Sequence, residues 1–165
     1  MRNKELIKRL ENNHYALEKA YQRLQRAIDS YHDQEIYTAT GELLLWVMTT
    51  HEWHKKHNKG YLDRLKKSDK GKILLGLLHA YNSMKHNMDF IKIHNKVGGG
   101  LTFPITFPAF FPPAIVCWIK AGDVLEGKYP SQKKNYEKFI EGKEVLGTFE
   151  LAIEFLKEEY KNIEK

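Results

Sequence analysis

The chain has 165 residues, of which 42% are hydrophobic, and this is enough to bury one core of ordinary size. Its formal net charge is +6, and its single cysteine, Cys117, excludes an intrachain disulfide and suits a reducing compartment. We therefore expect one domain spanning residues 1–165, located in the cytoplasm. The charged start, Met1–Glu5, lacks the apolar core of a secretion signal.

The first third of the chain predicts two long amphipathic helices. Apolar residues from Leu6 to Tyr31 recur at steps close to three and a half, which predicts a first helix ending near residues 30–33. A second helix is predicted from Glu35 to Lys56. Gly41 lies within it at a cost in helix propensity of about 1 kcal/mol. A basic connector containing residues 58–60 follows.

The stretch from Ser68 to His94 predicts the central helix, with Ser68 and Asp69 in position to cap its start. Apolar side chains recur at spacings of three and four along one face: Leu74, Leu78, Tyr81, Met84, Met88 and Ile91. A second, mainly polar stripe lies well round the helix from the first: Leu75, His79, Asn82, His86 and Asp89. Asn82 and His86 are one turn apart and are expected to point the same way.

Residues 97–130 predict an irregular arm or short hairpin inserted in the domain. No residue from 97 to 119 is charged, but three glycines and four prolines argue against a membrane span. Residues 101–108 and 115–120 favour two short extended segments. We therefore expect no membrane association.

A last helix is predicted from Ser131 to Tyr160, with Gly142 and Gly147 as points of close approach. Four long amphipathic helices with connections of this length predict an all-α fold, a four-to-five-helix bundle carrying the arm between its last two long helices. Their apolar surface also leaves room for a homodimer interface.

The positive charge is concentrated in one segment. Residues 55–72 contain only two acidic residues, Asp63 and Asp69, against eight basic ones, and the difference of six equals the net charge of the whole chain. The basic residues are Lys55, Lys56, Lys59, Arg64, Lys66, Lys67, Lys70 and Lys72. A local basic segment without an apolar face favours nucleic acid over a membrane surface as partner. A solvated connector between helices is the alternative.

The other reactive residues do not predict a metal or cofactor site. The metalloprotease pattern needs histidines four residues apart, whereas His51 is followed at that distance by Lys55. His51, His54 and His57 spread over about 120° of helix surface. Glu11 and His14 give only one of the two Glu-x-x-His motifs of a di-iron bundle. Cys117 has no basic neighbour in sequence and is interpreted as a packed thiol.

The segment Leu77–His86, with Asn82, Lys85 and His86, resembles the signature helix of the HEPN superfamily. The resemblance is specific over about twenty residues and general elsewhere. It implies a small all-α domain in which an arginine precedes a histidine by four to six positions. Many members are metal-independent endoribonucleases of toxin–antitoxin and anti-phage systems, and they build one site from two signature helices across a dimer.

On this resemblance His86 handles the proton and Asn82 orients His86 or the scissile phosphate, since RNA supplies its own 2′-hydroxyl nucleophile. Tyr81 occupies the position where the arginine belongs and carries no positive charge. Losing one such donor typically costs about 3 to 4 kcal/mol of transition-state stabilisation. Lys85 points about 100° away from His86 and is an imperfect substitute.

Three functions therefore remain open. The first is an RNA-associated module of a bacterial stress, toxin–antitoxin or anti-phage system in which catalysis is weak or lost. The second is an active metal-independent endoribonuclease using His86 and Asn82. The third is a protein-interaction bundle, with Asn82 and His86 serving helix packing and an aromatic arm holding a partner such as an antitoxin: Phe103, Phe107, Phe110 and Phe111.

Overall fold

The computed structural model describes residues 2–94, 114–123 and 129–163. Within these ranges the chain forms six α-helices and one two-stranded antiparallel sheet, which confirms the predicted all-α helical bundle. The elements in chain order are α1 Arg2–Ser30, α2 Asp33–His57, α3 Tyr61–Lys67, α4 Asp69–Lys85, β1 Ile91–His94, β2 Ile115–Trp118, α5 Pro130–Phe139 and α6 Val145–Ile163. A single 3-10 turn, Ala121–Asp123, follows β2.

The first two helices form an antiparallel hairpin, and α2 begins and ends within two residues of the predicted bounds. Leu10, Leu17 and Leu24 are at most 1% exposed, as the apolar period of α1 requires. Tyr31 lies in the tight turn between the helices with a positive φ of 57°. This hairpin supplies one wall of the bundle.

The basic connector is itself partly helical, which the sequence reasoning missed. Gly60 adopts a left-handed φ of 76° immediately before the seven-residue helix α3. The hydroxyl of Ser68 accepts a hydrogen bond from the Gly71 backbone N–H, which confirms the predicted start of α4. A Cβ atom at Gly71 would lie 2.2 Å from the carbonyl oxygen of Leu65, so glycine lets α3 turn closely onto α4.

The central helix ends at Lys85, and the prediction that it continues to His94 is wrong. Asn87 has a positive φ of 56°, and the Asn87 and Met88 N–H groups donate to the carbonyls of Met84 and Ser83. This is a Schellman end, in which the left-handed residue reverses the chain. Residues 91–94 instead form β1, which pairs with β2 from Ile91 opposite Trp118 to His94 opposite Ile115.

The extended segment predicted at 115–120 is confirmed by β2, while the one predicted at 101–108 lies outside the described residues. Trp118 of β2 is 1% exposed, and its indole N–H donates to the Thr148 hydroxyl at 2.6 Å. The Trp118 backbone N–H also donates to the carbonyl of Lys143. Cys117 is half-buried, and burial raises the pKa of its thiol, which suits the predicted packing role.

The predicted last helix is two helices, α5 and α6, separated by a turn at residues 140–144. Gly142 has a φ of 69° there, which a continuous helix would not allow. A Cβ atom at Gly142 or Gly147 would meet no atom within 4 Å, so neither is a point of close approach. The close approach is at Gly76, where a Cβ atom would lie 2.4 Å from Cγ1 of Ile140. Helix α5 therefore lies directly on α4.

Among the described residues, no helix is both long and apolar enough to cross a membrane.

Candidate functional site

The polar stripe of α4 is largely covered by α5. The amide nitrogen of Asn82 donates to Oε1 of Gln132 on α5 at 2.9 Å, and Asn82 is half-buried. One turn earlier, His79 is 2% exposed and its ring lies 5.1 Å from that of Tyr136. Burial lowers the pKa of His79, with Lys133 adding to the effect. The face that the sequence predicts to carry chemistry thus serves, over most of its length, to hold two helices together.

His86 lies at the end of this stripe and is exposed, beside exposed Lys85. It is the C-cap of α4, and its backbone N–H bonds to the carbonyls of Asn82 and Ser83. No hydrogen bond between described residues joins the side chains of Asn82 and His86, because the Asn82 amide turns to α5. The structure therefore places the predicted pair on successive turns, with the imidazole of His86 exposed and the half-buried amide of Asn82 bonded to α5.

Tyr81 departs from the purely internal role that its position on the apolar stripe predicts. It is half-buried, and Nζ of Lys85 lies 5.4 Å from the centre of its ring, within range of a cation–π contact. Tyr81 also lines a groove that contains Arg9 of α1 and Lys56 of α2. Sequence reasoning missed Arg9, because no spacing pattern links a residue of α1 to one of α4.

The basic segment divides into paired and unpaired cations. Four side chains make ion pairs: Lys55 with Glu52, Lys72 with Asp69, Lys70 with Glu154 and Glu158, and Arg64 with Glu159. Four others are exposed, and no ion pair within the described part of the chain neutralises them: Lys56, Lys59, Lys66 and Lys67. The unpaired lysines, which we call the α2–α3 lysines, are the part of the predicted nucleic-acid-binding set that remains available.

Lys66 and Lys67, two of the α2–α3 lysines, do not meet His86 within one chain. They immediately precede the start of α4, whereas His86 is its C-cap. A helix of 17 residues is about 25 Å long at 1.5 Å per residue, so these two lysines and the predicted catalytic histidine are separated by roughly the length of the central helix. Lys56, in contrast, lines the groove that also contains Tyr81 of α4.

The three histidines considered as metal ligands lie in different environments. His51 and His54 are at most 2% exposed and point into the bundle, whereas His57 is exposed and packs on Trp53 with ring centres 5.1 Å apart. Nδ1 of His51 lies 2.8 Å from the Tyr61 hydroxyl. Across the described residues, no cluster of three or more His, Cys, Asp or Glu side chains could hold a metal ion.

His54 belongs to a partly buried network, the Glu159 network, formed by His54, Asn58, Arg64 and Glu159. Nδ2 of Asn58 lies 3.2 Å from Nδ1 of His54 and donates to Glu159 at 3.0 Å. Arg64 donates to the same carboxylate from Nε at 2.8 Å and from its terminal nitrogen at 2.7 Å. The Glu159 side chain is only 3% exposed whereas that of Arg64 is 40% exposed, so this fork ties a half-exposed arginine of α3 to a buried carboxylate of α6.

The imidazoles around this network are held neutral. Burial lowers the pKa of His54 to about 3, with repulsion from His14 the next largest cause. Burial also lowers the pKa of His51 and of His14 to about 4. His54 stacks on Tyr61 with ring centres 5.2 Å apart, and His14 packs edge-on against Tyr160. These histidines act as core aromatic residues rather than as proton carriers at neutral pH.

Fold and site together define an all-α helical bundle with an exposed histidine at one end of its central helix and, at the other end, a basic corner around Lys66 and Lys67, which make no ion pair within the described residues. No protein-family model, curated protein or solved structure matches the chain.

Proposed function

We propose that this protein is a HEPN-like RNA-binding module of a bacterial stress, toxin–antitoxin or anti-phage defence system, in which RNA cleavage is weak or lost. The observation that carries the proposal is the exposure of the α2–α3 lysines, none of which makes an ion pair within the described part of the chain. Phosphate contacts from lysines supply most of the free energy of non-specific nucleic-acid binding. The basic corner has the charge that such contacts require.

The resemblance of Leu77–His86 to the HEPN signature helix and the all-α fold support the same proposal. The state of the catalytic positions supports weak or absent cleavage. Tyr81 brings no positive charge, and the Asn82 amide is engaged by Gln132. Among the described residues of one chain, His86 therefore has neither an arginine at position 81 nor the Asn82 amide as the charged and orienting partners that efficient transesterification needs.

The test of RNA binding is fluorescence anisotropy with a short labelled single-stranded RNA, over about 50 to 200 mM salt. We expect the triple variant K59Q/K66Q/K67Q to bind at least about tenfold more weakly than wild type. Its logarithmic salt slope should be smaller by about 2, because each lost phosphate contact on a single strand removes about 0.7.

The matched control is K19Q/K120Q/K143Q, which removes the same charge from exposed lysines elsewhere on the surface. We expect it to retain most of the wild-type affinity. Equal weakening by both triple variants would reduce the effect to net charge and contradict a dedicated basic corner. If wild type showed no salt-dependent binding at all, the protein-interaction bundle would become the better explanation.

A second candidate, a metal-independent endoribonuclease, is favoured by one observation, the exposure of His86 next to Lys85. A homodimer that paired two α4 ends would bring two such histidines and two lysines together. The test is incubation with RNA in EDTA, with light scattering to give the mass in solution. Cleavage that persists in EDTA and is lost in His86→Ala, but not in His94→Ala, would establish the enzyme.

A further inference from the structure

Three carboxylates of α6 hold two cations of the basic segment. Glu159 is the buried partner of Arg64, whereas Glu154 and Glu158 both bind Lys70 of α4. Oε2 of Glu154 lies 3.1 Å from Nζ of Lys70, and Oε1 of Glu158 lies 2.8 Å from the same atom. Lys70 is thus shared between two carboxylates that are one helical turn apart.

The contact at Lys70 contributes little to the stability of the fold. The side chains of Glu154 and Glu158 are 57% and 55% exposed, and that of Lys70 is 34% exposed. Ion pairs this open to water are screened and stabilise a fold only weakly. Stability therefore explains why Arg64 is paired with a buried carboxylate, but it does not explain two exposed carboxylates on one lysine.

Lys70 adjoins the α2–α3 lysines along the chain. Lys66 and Lys67 end α3, Ser68 caps α4, and Lys70 lies in the first turn of α4. The Cα atoms of Lys67 and Lys70 can be at most about 11 Å apart, at 3.8 Å per residue. A nucleic-acid strand carries a charge every few ångströms, so a strand that contacts Lys67 passes within a few phosphates of Lys70.

The charge around Lys70 is nevertheless unfavourable for a phosphate. One positive charge meets two negative ones, which leaves the three side chains with a net charge of −1. The carboxylates raise the pKa of Lys70, and the hydrogen bond to Glu158 is the largest cause. The ammonium group therefore stays charged, but its hydrogen bonds are made to α6. A phosphate that reached Lys70 would have to displace one carboxylate and approach the other.

We propose that Glu154 and Glu158 form an autoinhibitory contact, in which they hold Lys70 away from RNA phosphates and restrict binding to the α2–α3 lysines. The proposal rests on the RNA binding proposed above and names a contact that weakens it. Carboxylates and phosphates compete for the same ammonium group, so removal of the two carboxylates releases one further cation. The affinity for RNA then depends on α6 as well as on the lysines themselves.

The test is the variant E154Q/E158Q in the anisotropy assay over about 50 to 200 mM salt. We expect RNA binding at the lowest salt to tighten at least about threefold, and the logarithmic salt slope to steepen by about 0.7, because one released lysine adds one contact to a single strand. The control D29N/E35Q removes the same two charges from exposed side chains beside the turn between α1 and α2. It should leave the slope unchanged. An equal change of slope in both variants, or in neither, would overturn the proposal.

Lys70→Gln shows whether the lysine itself carries the gain. Alone, this substitution should leave the wild-type slope unchanged, because Lys70 makes no phosphate contact while the carboxylates hold it. In K70Q/E154Q/E158Q the slope should return to the wild-type value. A smaller slope in Lys70→Gln alone would show that Lys70 already contacts RNA. A steeper slope that persists in K70Q/E154Q/E158Q would show that the gain comes from lost repulsion alone. Either result would contradict the proposal.

Immobilised heparin, a sulfated polysaccharide, separates this proposal from RNA binding itself. E154Q/E158Q should elute at higher salt than D29N/E35Q, which has the same net charge, and K70Q/E154Q/E158Q should not. If wild type binds no RNA but this difference holds on heparin, RNA binding fails as the function and the contact at Lys70 stands. If wild type binds RNA and E154Q/E158Q gains nothing, the contact fails and RNA binding stands. Retention of no variant on either polymer would overturn both.

Discussion

The Glu159 network and the C-terminal end of α4 differ in the solvent exposure of their polar side chains. In the network, His54 and Glu159 are both buried. Burial lowers the pKa of His54 to about 3, and the guanidinium of Arg64 donates hydrogen bonds to the carboxylate of Glu159. At the end of α4, His86 is exposed and Asn82 bonds only once to α5. Shifted histidine pKa values can mark catalysis or structure, and here they mark the packed interior. Because His86 is exposed, a substrate could reach its imidazole.

The largest expected difference is between two sets of ion pairs, Arg64 with Glu159 and Lys70 with Glu154 and Glu158. Arg64→Leu leaves the buried carboxylate of Glu159 with Asn58 as its remaining hydrogen-bond donor among the described residues, so we expect the free energy of unfolding to fall by about 2 to 3 kcal/mol. Lys70→Met removes a cation whose partners, Glu154 and Glu158, are more than half exposed, and should leave the free energy of unfolding almost unchanged. Urea unfolding of the two variants measures the difference. Similar losses would mean that Glu159 is not truly enclosed.

The second contrast is in pH dependence. The folded pKa of His54, about 3, lies below its unfolded value of about 6.5, so the unfolded state binds more protons in between. The contribution of His54 to the free energy of unfolding is then complete above about pH 6.5 and decreases as the solution is acidified. His54 alone should contribute a loss of about 2 kcal/mol between pH 6.5 and pH 5.

Urea unfolding at several pH values tests this. His54→Gln should flatten the dependence by up to about 1.4 kcal/mol per pH unit. A slope in His54→Gln equal to that of wild type would contradict the burial of this imidazole. A pH-independent free energy of unfolding in wild type would show that these imidazoles are solvated.

The third contrast is between a glycine at the interface of α4 and α5 and a glycine on an open face of α6. Gly76→Ala places a Cβ atom 2.4 Å from Ile140, and we expect a net loss of about 1 to 2 kcal/mol after the gain in helix propensity. Gly147→Ala in α6 meets no atom within 4 Å and should raise stability by about 0.5 to 1 kcal/mol. Thermal unfolding distinguishes the two signs. Stabilisation by both substitutions would mean that α5 is not held on α4.

The smallest effect concerns Asn82 itself. Loss of its hydrogen bond to Gln132 in Asn82→Ala should cost about 1 kcal/mol. Gln132→Ala should cost a similar amount, and the double variant should cost little more than either, as a double-mutant cycle would show. Additive losses would indicate that the two amides do not interact, and would leave Asn82 free to orient His86.

Local sequence signals located most of the helices. The period of α1, the bounds of α2 and the Ser68 cap are confirmed because each depends on residues close together in the chain. The errors arose where the local sequence was compatible with two different secondary structures. Ile91 continues the helical period and equally suits the alternation of β1, and the left-handed Asn87 decided between them.

The candidate site was less predictable, because its environment is set by distant residues. Gln132 covers Asn82 from 50 positions away, and Glu159 engages Arg64 from 95 positions away. No spacing rule connects such pairs. The sequence could therefore nominate Asn82 and Arg64 but could not tell that each already has a partner, nor that Arg9 would lie near Tyr81.

The ladder between β1 and β2 has a consequence for how this protein can vary. His94 and Ile115 are paired at its open end, so these two residues lie about 5 Å apart. A two-residue turn is long enough to join antiparallel strands at that spacing. A shortened chain in which such a turn joins His94 directly to Ile115 is therefore compatible with the ladder.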